Sequence, residues 1–271
     1  MTLIETYNKS LKLLKNPNEE EVALRLFLCD VNNLNSMSDF YLKKDENIKD
    51  LQRFNEYLQR FLSGEPAEYI LGYCDFYGSR FTVNSDVLIP RPETEELVKY
   101  AIDQIEKNNF KRIVDVCCGS GCIGLSIAKN IVFEKILMSD ISQGAVKIAK
   151  KNAKNLGINT EIICSDALSY LGEDVDIVVG NPPYIISEEL IEKSVLNYEP
   201  KIALFTDNNI TIYKKIISEA ISHNAKMIIL EIGEEILDLL KGYLNTTFNF
   251  VKYNVIKDIN GKNRIISIKV A

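Results

Sequence analysis

The sequence predicts an α/β protein: a doubly wound, mostly parallel seven-stranded sheet with a C-terminal antiparallel hairpin, preceded by a small helical bundle. Three observations predict it. Seven apolar, β-branched runs occur between residues 112 and 270, and helical patterns separate the earlier ones. A parallel sheet with crossover helices requires that alternation. The last two runs are joined only by a short polar segment containing Asn260-Gly261, a hairpin signal. Residues 1 to about 63, by contrast, carry helical patterns alone.

In chain order, Asn18 before Glu19, Glu20 and Glu21 reads as an N-cap followed by acids that complement the helix dipole. Between residues 47 and 62, Ile48, Leu51, Phe54, Leu58 and Phe61 recur at helical spacing, and Gly64 and Pro66 stop the run. Core packing is the simpler account of that stripe than a ligand groove. At Gly64 the texture changes, and residues 73–77 and 80–83 read as a hairpin turning at Gly78-Ser79. Pro90-Arg91-Pro92 closes this linker, and Glu93-Thr94-Glu95-Glu96 opens a helix. The expected organisation is a helical domain over 1–64, a linker with a hairpin over 65–90 and a sheet domain over 91–271. Within the last, strands are expected at 112–116, 135–139, 160–164, 176–179, 227–232, 248–255 and 265–270. Helices are expected at 122–130, 142–156, 187–196, 210–222 and 234–244.

Composition narrows the function. The 271 residues are 46% hydrophobic and 26% charged, ordinary globular values that exclude a disordered or fibrous chain. One histidine, His223, and no tryptophan leave no material for a His-rich metal site or a serine–histidine triad. A formal charge of −6 counts against a dedicated nucleic-acid coat. No segment resembles a signal peptide, and no apolar run approaches the roughly 18 residues that span a bilayer. Cys29, Cys74, Cys117, Cys118, Cys122 and Cys164 are therefore expected as reduced thiols in a cytoplasmic protein that makes no membrane contact. Cys117, Cys118 and Cys122 lie close together without a paired C-x-x-C pattern, so small core residues are expected there and no metal.

The chemistry-bearing residues fall at strand ends. Asp115-Val116-Cys117-Cys118-Gly119-Ser120-Gly121 ends the first strand of the sheet and runs straight into a helix. Glycines in such a turn admit a ligand close to the backbone and free amides at a helix N-terminus. Asp140, 25 positions after Asp115, ends the next strand near the spacing at which an acid grips ribose hydroxyls. Together they suggest an adenosine-containing cofactor; a tight turn with Asp140 capping the next helix is the plainer account. Asp166 could accept an adenine amine or cap the following turn. The fourth strand delivers Gly180-Asn181-Pro182-Pro183-Tyr184. The Asn181 side chain and the Pro182 carbonyl are acceptors for both protons of a planar NH₂ group, and Tyr184 offers a ring to cover its face.

Asp-x-x-x-Gly-x-Gly, the acidic second-strand end and Asn-Pro-Pro-Tyr together resemble class I S-adenosylmethionine-dependent methyltransferases that act on planar amino groups. More specifically, Gly64-Glu65-Pro66, Ile89-Pro90-Arg91-Pro92-Glu93-Thr94-Glu95 and Tyr198-Glu199-Pro200 with Ala203-Leu204 resemble the HemK/PrmC family of peptide chain release factor N5-glutamine methyltransferases. The resemblance implies a Rossmann-like fold, S-adenosylmethionine as cofactor with S-adenosylhomocysteine as product, and no metal. It implies as substrate the glutamine of the Gly-Gly-Gln motif of class I release factors, and gives the N-terminal domain substrate recognition. By position, Asp115 and the turn Cys117, Cys118, Gly119, Ser120 and Gly121 would border the cofactor's methionine part. Asp140 would hold its ribose, and Asp166 and Ala167 its adenine, with Asn181 reaching both cofactor and substrate. Asn181, Pro182, Pro183 and Tyr184 would bind the glutamine amide, and Asn181, Pro182 and Tyr184 would carry catalysis. Two positions depart from the family: Cys117 stands where glycine is usual, and Ala167 where some members have a bulky aromatic. The rival reading is a methyltransferase for nucleic-acid amines such as adenine, which Asn181–Tyr184 would serve equally through a flipped base. The −6 charge and the lack of a Lys/Arg-rich arm count against it.

Overall fold

The computed structural model describes residues 1–270; Ala271, the last residue of the expected sheet domain, lies outside them. The chain forms two compact units, Met1–Gly72 and Tyr73–Ala271, so the stretch expected as linker, 65–90, is divided between them.

The first unit holds α1 (Leu3–Leu11), α2 (Pro17–Asn32), α3 (Met37–Leu42), α4 (Leu51–Leu62) and α5 (Ala67–Leu71). Leu3, Leu24, Phe27, Leu28, Phe40 and Phe54 form its core, each no more than 1% exposed. Burial of each such side chain contributes about 1.5–3 kcal/mol. Two starts differ from expectation. Helix α2 begins at Pro17, because proline's fixed φ suits the first helical position, which places Asn18 inside the helix; Glu20 accepts from the Lys15 and Asn16 amides instead. Helix α4 begins at Leu51, because Asp50 caps it by accepting from the Arg53 amide at 2.9 Å, and Ile48 therefore precedes the helix.

The second unit opens with an antiparallel hairpin, β1 (Tyr73–Phe76) and β2 (Ser79–Thr82). Helix α6 (Pro92–Asn108) leads into β3 (Arg112–Val116), α7 (Cys122–Asn130), β4 (Lys135–Asp140), α8 (Gln143–Leu156), β5 (Glu161–Cys164) and β6 (Ile177–Gly180). A 3₁₀ turn (Glu188–Leu190), α9 (Lys193–Tyr198), α10 (Lys201–Leu204) and α11 (Thr211–Ser222) precede β7 (Met227–Glu231). Helix α12 (Glu234–Thr247) and the hairpin β8 (Lys252–Lys257) and β9 (Asn263–Lys269) complete the unit.

The sheet runs β5-β4-β3-β6-β7-β9-β8; the first five of these strands are parallel, and β9 pairs antiparallel with both β7 and β8. Period-two alternation explains why its strands read as continuous apolar runs. Ile113, Ile136, Met138, Ile177, Val179 and Ile229 face α6, α7 and α8, whereas Val114, Leu137, Val178, Ile228 and Leu230 face α11 and α12. Both faces are covered, so the central strands β6 and β7 are buried along their whole length, whereas the edge strands β5 and β8 keep exposed residues. Two expected elements change. The helix expected at 187–196 is split, with Ile191 and Glu192 extended; no residue of α9 is buried, so no core contact holds the pieces in one rod. The strand expected from Phe248 begins at Lys252, because α12 continues to Thr247 and Phe248 packs edge-on against Tyr243 and Phe250.

Candidate active site

Strand order reverses at β3 and β6, whose carboxyl ends therefore open a crevice of the kind that binds ligands in open α/β sheets. A cavity of about 380 Å³ lies there, within the range of small-molecule sites. Gly180 brings the two strands together: a Cβ there would lie 2.4 Å from the Val116 carbonyl oxygen, a distance only glycine allows.

The turn after β3 forms one wall. Cys118 donates its amide to Ser139 O at 2.9 Å, and Gly121 donates to Cys118 O at 2.7 Å. Gly121 takes φ +82°, which glycine adopts without strain, and a Cβ there would crowd the Leu125 and Met138 side-chain ends at 3.0 and 3.1 Å. Asp140, ending β4, accepts from the Gly119 amide at 2.8 Å and the Ser142 amide at 2.9 Å, which locks the turn to the neighbouring strand. Burial raises its pKa against the opposing pull of those amides. Asp115 is fully buried behind the turn. Its Oδ2 accepts from the Gly124 amide at 2.8 Å, while Oδ1 has no hydrogen-bond partner among the described residues. Desolvation, with a smaller contribution from Asp140, pushes the Asp115 carboxyl up to about 8.

Cys117, Cys118, Gly119, Ser120, Asp140, Asp166, Ala167, Asn181 and Pro183 line the cavity. Asp115, Gly121, Pro182 and Tyr184 do not; they support residues that do. Asp166 pairs with Lys215 at 3.0 Å. The Pro182 carbonyl accepts from the Tyr213 hydroxyl at 3.2 Å, which leaves its second lone pair. The Tyr184 hydroxyl lies 3.3 Å from Glu231 Oε1 and 3.5 Å from the Arg264 guanidinium, tied into a polar cluster behind Asn181. Burial first, then Glu231, holds the Tyr184 phenol well above its usual range.

Sequence reasoning missed the residues behind this loop. Thr94 donates to Glu231 Oε2 at 2.7 Å and lies 3.5 Å from Asn181 Nδ2. Glu199, 4% exposed, accepts from the Ile89 amide at 3.1 Å and forms an ion pair with Arg91. The proline-rich segment before α6 and the Tyr198-Glu199-Pro200 segment, far apart in sequence, thus meet. A signal existed for Glu231: it is an acid inside the apolar run 227–232.

Asp86, Asp140, Asp166 and Asp207 stand on the cavity wall against Arg91 and Lys215, each of which is paired with an acid. That balance suits a cationic ligand. Among the described residues no group of three or more His, Cys, Asp or Glu is placed to hold a metal ion, and no helix is long and apolar enough to cross a membrane.

The fold and this strand-end site define the class I methyltransferase architecture. A ribosomal protein L11 methylase from Lactobacillus delbrueckii subsp. bulgaricus, 18% identical, superposes with a TM-score of 0.51 over 70% of this chain and 84% of its own. Residues 98–198 match the methyltransferase small domain, and residues 3–72 match the PrmC N-terminal domain. The release factor glutamine methyltransferase of Lactococcus lactis subsp. lactis is 37% identical over 93% of this chain and 95% of its own length. That of Streptococcus pneumoniae is 33% identical over 99% and 98% respectively. The chain belongs to the release factor glutamine methyltransferase family.

Proposed function

We propose that the protein methylates the side-chain amide nitrogen of the glutamine in the Gly-Gly-Gln motif of class I peptide chain release factors, modulating translation termination. The single observation that carries this reading is Asn181 on the cavity wall with its amide backed by Thr94, next to the turn that would hold the cofactor. S-adenosylmethionine, when bound, supplies a methyl already activated on a sulfonium, and S-adenosylhomocysteine is what remains. The turn from Cys117 to Gly121, Asp140, Asp166 and Ala167 would hold it. The family and the fold support that cofactor.

Asn181 and the Pro182 carbonyl would then accept the two protons of the glutamine amide. An amide nitrogen is a poor nucleophile because its lone pair is delocalised into the carbonyl. Two aligned acceptors turn that lone pair towards the methyl and stabilise the positive charge that develops on nitrogen. Transfer of the methyl would leave the S–C electron pair on sulfur, and the nitrogen, its charge stabilised by Asn181 and the Pro182 carbonyl, would then release one proton to water. Tyr184 and Pro183 would flank the amide. The first unit would recognise the release factor; its match to the PrmC N-terminal domain supports that role.

Incubation with labelled S-adenosylmethionine and either a release factor or DNA, followed by mass spectrometry, tests the substrate. Label on the Gly-Gly-Gln glutamine is expected; label on adenine and none on the factor would overturn the reading. Asn181→Ala should lower methylation by about a hundredfold or more while keeping cofactor affinity within about threefold. A variant that methylates at the normal rate would remove Asn181 from this role.

A further inference from the structure

Glu231 ends β7 as a carboxylate 1% exposed, and two elements share its oxygens. Thr94, on α6, donates its hydroxyl to Oε2 at 2.7 Å, and Tyr184 donates to Oε1 at 3.3 Å. The Thr94 hydroxyl has one proton. Given to an ionised carboxylate, which only accepts, that proton is not available to Asn181, so towards Asn181 the threonine oxygen only accepts. Asn181 Nδ2 lies 3.5 Å from it, a long contact of the kind that tightens when substrate is bound. The end of the Asn181 amide facing Thr94 is therefore NH₂, and Oδ1 is the end left for a ligand. An unsupported asparagine presents either end. The same strand end anchors the next residue of the loop, since the buried Tyr213 hydroxyl is shared between Glu231 O at 2.7 Å and Pro182 O at 3.2 Å.

We propose that Glu231, acting through the Thr94 hydroxyl, sets the orientation of the Asn181 amide so that Oδ1 accepts from the substrate's NH₂ group. Glu231 and Thr94 are thus positioning residues, and the inference rests on the reading of Asn181 as the acceptor of the methylated amide. Arg264 from β9, Glu93 from α6 and the Tyr184 phenol also face the carboxylate. Burial outweighs Arg264 and the hydrogen bonds, so Glu231 keeps its proton to higher pH than an ordinary carboxyl. A protonated Glu231 can donate as well as accept, so the direction of the Thr94 hydrogen bond is no longer fixed, and activity should fall on the acid side with the titration of this residue.

Thr94→Val, Thr94→Ser and Glu231→Gln are compared with the wild type. The measurements are kcat on a release factor, cofactor affinity, and the NMR signals of the Asn181 side-chain NH₂, assigned by their loss in Asn181→Ala. Thr94→Val should lower kcat by about tenfold or more, with cofactor affinity within about threefold, and should shift the Asn181 signals. Thr94→Ser, which keeps the hydroxyl, should restore kcat to within about threefold and leave those signals in place. Glu231→Gln should lack the acid limb of the wild-type pH profile, a readout that holds where Thr94→Val folds poorly. A Thr94→Val variant with normal kcat and unmoved signals overturns the relay. So does a Thr94→Ser variant as impaired as Thr94→Val, which would make Thr94 a packing residue, or an acid limb that persists in Glu231→Gln. A wild type inactive on the release factor would sink the substrate reading instead, and the Asn181 signals, which need no substrate, would still decide the relay.

Discussion

Cys117 holds a left-handed backbone, φ +54°, at the position where the family usually has glycine. For an L-residue that conformation costs about 1–2 kcal/mol. Cys117→Gly should therefore raise stability by about 1 kcal/mol, partly offset by the entropy glycine adds to the unfolded chain. Denaturant unfolding reads this, and a lower midpoint would contradict it. Asp115 makes a pH prediction. Its carboxyl titrates near 8 in the folded state and near 3.8 when unfolded, so the native state binds the extra proton between those values. Stability then falls as pH rises through that window, by up to about 1.4 kcal/mol per unit. Asp115→Asn should flatten the melting temperature between pH 5 and 8 by about that slope; an unchanged profile would assign the dependence elsewhere. At this scale the sequence displayed Asn181, Asp140 and the glycine turn, because each is a polar or flexible residue at the end of an apolar run. It did not display Thr94 as a partner of Asn181, since 87 residues separate them.

Elements carry these residues to one edge through close approaches that side chains would block. Gly180 on β6 meets the Val116 carbonyl of β3, and Gly124 on α7 would drive a Cβ to 2.9 Å from Asp115 Oδ2. Gly180→Ala should cost about 1–3 kcal/mol by overpacking, and should weaken cofactor binding by displacing Val116, which leads into the Cys117–Gly121 turn. Thermal unfolding and cofactor titration on the same variant check both; a neutral result would mean that the strands separate without penalty. Strand and helix positions were legible because period-two and period-3.6 patterns are local. Their ends were less so. Pro17, Asp50 and the Phe248 cluster moved boundaries by a few residues through capping and packing, and the segment 187–196 broke where no core contact held it.

Across the whole molecule, each unit has its own core: one centred on Phe27, Phe40 and Phe54, and the other on the two faces of the sheet. Every residue that lines the cavity lies in Tyr73–Ala271. That unit produced alone should bind S-adenosylmethionine within about threefold of the full chain, yet methylate a release factor with kcat/KM reduced by about tenfold or more. Full activity of the shortened chain would remove the first unit from recognition. The order and type of elements, the antiparallel ending, the strand-end turns and the family resemblance can all be read along the chain, because they are written in local patterns and short motifs. Which distant residues meet is settled by the folded arrangement of the strands and helices. It joined Glu199 to the Ile89–Arg91 segment, and it set Glu231 and Thr94 behind Asn181. Such contacts depend on strand order and on the one-directional logic of hydrogen bonding, neither of which has a local signature in the chain.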